Sequence, residues 1–305
     1  MTTPWGDIGV SDAHVHFFSH RFFSLLAAQR GSTVEGLEPV LGWEMPPPEP
    51  AALAARWVAE LDRHGVRRAA IIASLPGDES SAAAAVAAYP DRFLGYFMAN
   101  PVAPEGVEAV GRALDAGLRG ICLFPAMHRY PLAHEQVAET VALAAARPGT
   151  VVFVHCGVLT VGVRRKLGLP SLFDMRYSNP VDLHPLALRH PGVPFVVPHF
   201  GAGYFREALM LCDLCPNVYL DTSSTNSWIR YQESGCSLVS VFRRALAVAG
   251  PSRLLFGTDS SYFPRGWHRA VFDAQVEALV EAGADAEAAA AILGGNLEAL
   301  ASMRS

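Results

Sequence analysis

Val10-Ser11-Asp12-Ala13-His14-Val15-His16 reads as the end of a short β-strand. Side chains of a strand alternate between its two faces, so His14 and His16, two residues apart, project to the same side and can converge on one ion. A single His-x-His pair occurs in many proteins as two solvated residues. Its meaning depends on whether other strands of the chain end in the same chemistry.

Outward from this stretch, short apolar runs recur with helical patterns between them. Strands are expected at about 8–14, 67–74, 92–98, 118–124, 150–156, 193–199, 217–222 and 253–258, and helices at about 51–64, 78–88, 105–116, 134–146, 181–190, 203–214, 236–249, 267–282 and 286–301. Strand alternating with helix implies parallel pairing through right-handed crossovers. Eight such repeats, without a nucleotide-type glycine-rich turn after the first strand, predict an α/β fold, a closed (β/α)8 TIM barrel, rather than an open sheet. No linker or repeat divides residues 1–305, so a single barrel domain is expected. The long insertion after the first strand, 17–65, carries Pro39, Pro46, Pro47, Pro48 and Pro50. It reads as a lid or substrate-facing loop, with a contact in a homo-oligomer as the alternative.

Composition narrows the function classes. Hydrophobic residues make up 51% of the 305 and charged residues 17%, which is globular. No apolar run approaches the roughly 18 residues of a membrane span. The N-terminus lacks the basic and apolar regions of a secretory signal, so a cytoplasmic protein is expected. A net charge of −5 without a long basic run argues against nucleic acid as a partner and leaves a small-molecule substrate. Five cysteines have no framework spacing and are expected as free thiols; Cys212 and Cys215 read as packing within a helix. Lys166, beside Arg164 and Arg165, is the only lysine among 24 basic residues.

In a barrel the reacting groups stand at the C-terminal ends of the strands. The first strand ends in His14 and His16, the fifth (Thr150-to-Val154) in His155, the sixth (Pro194-to-Pro198) in His199 and the eighth (Arg253-to-Thr258) in Asp259. Imidazole and carboxylate are ligands for zinc, manganese or non-haem iron, so these five residues point to a metal-dependent active site.

The motifs Asp12-Ala13-His14-Val15-His16, Val154-His155-Cys156-Gly157, Pro198-His199-Phe200-Gly201, Asn217-to-Ser223, Leu255-Phe256-Gly257-Thr258-Asp259 and Gly295-Asn296 run through the whole chain. Together they resemble the amidohydrolase superfamily, specifically its amidohydrolase-2 group of metal-dependent barrel hydrolases and decarboxylases. The resemblance implies that His14, His16, His155 and Asp259 bind the metal and that His199 and Asp259 serve as acid and base. Binuclear members carry a carboxylated lysine at the end of the fourth strand. Here Leu118-to-Pro125 contains no lysine, so one divalent ion, zinc before manganese or iron, is expected. Cys122 is a weak substitute ligand.

Further candidates come from loop order. Arg164 and Arg176, in the loop after the fifth strand, and Arg206, in the first turn of a helix, are expected to contact substrate, as is His128 beyond the fourth strand. Asp221 and Ser223 are placed to orient a ligand histidine. The expected activity is hydrolysis of a small, carboxylated or cyclic substrate by metal-activated water. Non-oxidative decarboxylation of an unsaturated or aromatic acid uses the same residues and is the rival reading. A non-catalytic binding barrel is disfavoured, because a degenerate site would have lost one of the five residues.

Overall fold

The computed structural model describes residues 1–223 and 228–303. Beyond a small N-terminal hairpin (Thr2–Thr3 with Gly6–Asp7), its main sheet contains eight strands: β1 (Val10–His16), β2 (Val66–Ala73), β3 (Phe93–Ala99), β4 (Gly120–Leu123), β5 (Val151–Val154), β6 (Phe195–Val197), β7 (Val218–Asp221) and β8 (Leu254–Leu255). Each is parallel to its sequence neighbour. The ring closes where 256–260 runs beside β1. Ala13 N–H donates to the Phe256 carbonyl (2.8 Å), Asp259 N–H to that of His14 (2.9 Å) and His16 N–H to that of Ser260 (2.7 Å). This is the expected TIM barrel.

Period-two alternation sorts the strand residues into two layers. On β2, Ala69, Ile71 and Ala73 pack outward with the helices, whereas Ala70 and Ile72 fill the interior. On β3, Phe93 and Phe97 face out and Tyr96 and Met98 face in. The interior is thus packed solid beneath the mouth, and Leu297 and Leu300 of the last helix, Asn296–Ser302, join it. Cys122 belongs to this apolar layer, and burial pushes its thiol well above the ordinary range, which removes it as a thiolate ligand. All five cysteines are free. Among the described residues no helix is long and apolar enough to cross a membrane.

Several boundaries differ from expectation, β8 being Leu254–Leu255 rather than 253–258, and two of the differences bear on the site. β6 stops at Val197 because His199, Phe200 and Ala202 adopt positive φ (55°, 51° and 43°), a left-handed turn that no strand can contain. The insertion after β1 is shorter than 17–65, since the helix Pro50–His64 sends Leu53, Ala54, Trp57 and Leu61 into the main core as a regular barrel helix. What lies outside the barrel repeat is 17–49. Its helix His20–Arg30 and short turns to Leu41 pack Phe22, Phe23, Leu26, Leu37 and Trp43 against Val163 and Leu167, a separate apolar cluster. This cap therefore meets the short helix Gly162–Lys166 that follows β5.

Candidate metal centre

The ends of β1, β5, β6 and β8 converge on one cavity of about 520 Å³, lined by His14, His16, His155, His199 and Asp259. One ligand atom from each of His14, His16 and Asp259 lies within 4.8 Å of the others. His16 Nε2 is 3.0 Å from Asp259 Oδ1, and His14 Nε2 is 3.8 Å from it. The rings of His14 and His199 are 5.0 Å apart and those of His199 and His155 5.4 Å.

Hydrogen bonds behind the cluster decide which nitrogen each ring presents. His14 Nδ1 donates to Asp221 Oδ2 at 2.5 Å. Ser74 Oγ gives its own hydrogen to the Ile72 carbonyl (3.0 Å), so it accepts from His16 Nδ1 at 2.7 Å. His199 Nδ1 donates to the Ser223 carbonyl at 2.9 Å, and the Ser223 hydroxyl lies 2.9 Å from the same nitrogen and 3.1 Å from His14 Nδ1. All three rings thereby commit Nδ1–H to the scaffold and turn Nε2 to the cavity, where those of His14 and His16 face the Asp259 carboxylate. Among the described residues His155 Nε2 is buried with no hydrogen-bond partner. A buried orphan acceptor costs stability unless something binds it, so the donor set fits a divalent cation.

Electrostatics agree. Burial opposes charge on His14, but the Asp221 carboxylate overrides it and pushes the imidazole up to about 9. Burial likewise opposes charge on Asp259, yet His16, His14 and His199 hold the carboxyl well below the usual range. Burial and the neighbouring histidines hold His155 and His199 below the ordinary imidazole range, and a buried cluster of neutral imidazoles beside an ionised aspartate is one that welcomes a cation.

Asp12, in the opening motif, ties the two strands that carry these groups. It is fully buried and accepts from His14 N–H (2.9 Å), Thr258 N–H (3.1 Å), Thr258 Oγ1 (2.5 Å) and Trp267 Nε1 (2.8 Å). Gln275 braces the adjacent seam, accepting from Thr222 Oγ1 (2.6 Å) and donating to the Thr222 and Gly257 carbonyls (both 3.0 Å). Position 257 admits only glycine, because a Cβ there would meet Asp221 Oδ1 at 2.8 Å and His14 Cβ at 2.9 Å. Gly157 (φ +75°) does the same between β5 and β6, since its Cβ would lie 2.2 Å from the Gly201 carbonyl oxygen.

The loop candidates divide. His128 lines the cavity, where burial lowers its imidazole to about 4, and its Nδ1 has no partner. Arg164 also lines the cavity, fixed by Pro170 O (2.9 Å) and Gln29 Oε1 (2.8 Å). Arg206 and Arg176 do not line it. Arg206 sits opposite the buried Phe205–Ala208–Leu211–Cys212 face of its helix, so it points outward, 84% exposed, and pairs with Glu207 at 2.6 Å. Arg176 is 80% exposed and pairs with Asp174 at 2.6 Å. Sequence order missed Arg265, Trp43, Tyr262 and Ser74, which do line the cavity. None stands in a motif. Asp12 stood inside one, and its role needed the packing of Trp267 and Thr258 to be seen.

Comparison with known proteins places these residues in context. The family model described as amidohydrolase matches residues 11–300. A TIM-barrel protein from Bordetella bronchiseptica has 20% identity and a TM-score of 0.65, covering 96% of this chain and 98% of its own. A probable 2-pyrone-4,6-dicarboxylic acid hydrolase from Acinetobacter baumannii, with citric acid bound, has 16% identity and a TM-score of 0.60 over 96% of this chain and 99% of that one. An amidohydrolase from Burkholderia multivorans with bound zinc has 18% identity and a TM-score of 0.58 over 97% and 99%. Protein fluG of Emericella nidulans is 37% identical over 87 residues, which is 28% of this chain and only 10% of that protein's length.

Proposed function

The chain belongs to the amidohydrolase family, and on that premise we propose that it is a mononuclear metal-dependent hydrolase of a small cyclic or carboxylated substrate. The observation that carries the reading is the convergence of the His14 and His16 Nε2 atoms and the Asp259 carboxylate, with the partnerless His155 Nε2 in the same cavity. His14, His16, His155 and Asp259 would hold one ion. Zinc suits the imidazole and carboxylate set first, and the Burkholderia neighbour contains it. Such an ion supplies Lewis acidity and makes water nucleophilic near neutral pH.

The protein's own groups then divide the proton work. Asp259, ionised at the mouth, receives the proton of the attacking water at its carboxylate. His199 keeps Nδ1–H on the Ser223 carbonyl, which leaves Nε2 to exchange a proton with the substrate. Phe18, Phe22, Phe124 and Trp43 line the cavity and limit water around the reacting group. Hydrolysis is preferred to decarboxylation as the broader chemistry of the fold; of the cations expected to clamp a carboxylate, Arg206 and Arg176 point to solvent while Arg164 lines the cavity. The Acinetobacter neighbour, named for hydrolysis of a cyclic dicarboxylate, is consistent with this class.

Elemental analysis of the dialysed protein, followed by turnover assays with lactones, amides and aromatic or enoic acids, tests the proposal. About one tightly bound divalent ion per chain and turnover of a lactone or amide are expected. Carbon dioxide release from the acids, with lactones and amides untouched, would overturn it in favour of a decarboxylase. A chain without stoichiometric metal would overturn both.

A further inference from the structure

At the rim of the cavity two stacked rings each carry a cation. Trp43, from the cap, lies flat on Tyr262, from the segment after β8, with centroids 4.0 Å apart and planes within 10°. Lys166 Nζ stands 5.3 Å from the Trp43 centroid, and the Arg265 guanidinium stands 4.5 Å from that of Tyr262. All four residues line the cavity. Three segments remote in sequence thus meet in one ladder of cation, ring, ring and cation, beside the candidate metal centre.

Among the described residues neither cation is neutralised. Lys166 Nζ donates to the Leu41 carbonyl at 3.1 Å. Arg265 Nη2 donates to the Asp259 carbonyl at 3.2 Å and to Ser261 Oγ at 3.0 Å, and its buried Nε has no partner. Among the described residues neither forms an ion pair, whereas Arg68 and Arg147, away from the cavity, are answered by Glu298 and Asp115. Aromatic faces stabilise a cation only weakly and leave its hydrogen-bond donors available. Cations held rigid on ring faces and lacking a counter-charge are prepared for an incoming carboxylate, and flat rings beside them match a planar ligand.

We propose that the Lys166–Trp43–Tyr262–Arg265 ladder is a subsite for a carboxylate that a planar, unsaturated or aromatic-like substrate carries away from its reacting bond. This deepens the hydrolase reading and rests on it for the placement of the reacting end. The substrate would span the cavity, its reacting group among His14, His16 and Asp259 and its distal anion between cap and rim. The lone lysine matters here: its compact ammonium is the one amine side chain in the protein, so the subsite can be interrogated chemically.

Isophthalate, a flat ring with two carboxylates and no scissile bond, is the probe, with benzoate and the neutral isophthalamide as comparators. The full-length metal-loaded protein would be reductively methylated and digested, with the N-terminal amine as internal reference. Isophthalate is expected to slow methylation of Lys166 about fivefold or more, and isophthalamide to leave it unchanged. By calorimetry, Lys166→Gln and Arg265→Gln should each weaken isophthalate about tenfold while shifting benzoate less than about threefold. Lys166→Arg, which keeps the charge, should retain most of the affinity. Unaltered isophthalate binding in both glutamine variants, or equal protection by isophthalamide, would overturn the subsite. Lys166-dependent isophthalate binding in a protein that holds no stoichiometric metal would support the subsite and remove the hydrolase reading, so the two failures are distinguishable.

Discussion

Two seams of the molecule hold the same cavity by opposite means. The seam between β1 and the chain after β8 is polar and fully buried: Asp12, Asp221, Thr258 and Gln275 are between 0% and 1% exposed, and their polar groups are answered by named partners. The seam between the cap and the post-β5 helix is apolar. Phe23, Leu37 and Trp43 meet Val163 and Leu167, and the polar contacts crossing it are Arg164 to Gln29 and Lys166 to the Leu41 carbonyl. What a polar seam does to a buried imidazole is seen by comparing His14, which Asp221 pushes up to about 9, with His128 on a wall outside both seams, which burial lowers to about 4. Directional hydrogen bonds permit one arrangement and so suit donors that must hold a metal within tenths of an ångström. Apolar contact tolerates displacement and suits a wall that must admit a substrate.

The contrast breaks most completely if the polar seam proves dispensable. Asp259→Asn keeps the shape of the side chain but removes its charge, so turnover should fall about 1,000-fold or more with bound metal reduced and the circular dichroism spectrum unchanged. Activity within tenfold of the parent, measured with whichever substrate the panel yields, would show that the site lies elsewhere. Asp12→Ala leaves four buried donors without their acceptor and should cost about 3 kcal/mol in urea denaturation. A cost below about 1 kcal/mol would mean that water or rearrangement replaces the carboxylate.

A third measurement sharpens the contrast through pH. His128 is lowered from its ordinary 6.5 to about 4, so between those values the unfolded chain binds a proton that the folded chain refuses. Stability from this group is complete above pH 6.5 and is lost as pH falls towards 4, by roughly 2–3 kcal/mol. In His128→Asn that part of the slope should vanish, and an unchanged profile would place the titration in another group. The smallest effect belongs to the cap. Trp43→Ala should raise amide hydrogen exchange in 20–43 and 162–167 about tenfold, while the amides of Ala13, His16 and Asp259 exchange as before. Equal acceleration at both seams would show that they open as one unit.

Much of this was legible in the chain. Strand alternation and the polar residue after each apolar run were enough to expect the barrel and to bring His14, His16, His155, His199 and Asp259 to one mouth. Both signals are local, and parallel barrel topology converts strand order directly into proximity. Loop candidates were not legible in the same way. Arg206 and Arg164 look alike as arginines near a strand end, yet one lies opposite the buried face of its helix and the other is drawn inward by Pro170 and Gln29. A loop's path depends on what it packs against, which sequence order does not encode.

The order of elements and the identity of the groups at the mouth were settled by the sequence, because a period-two pattern and a chain of parallel strands leave little choice of where strand ends go. Which nitrogen each histidine presents, that Asp12 locks β1 to the chain after β8, and that Trp43, Lys166, Tyr262 and Arg265 meet at the rim were decided only by the tertiary structure. Their partners are remote in sequence, from Ser223, 24 residues beyond His199, to Trp267, 255 beyond Asp12, and contacts at that range are fixed by packing rather than by local pattern.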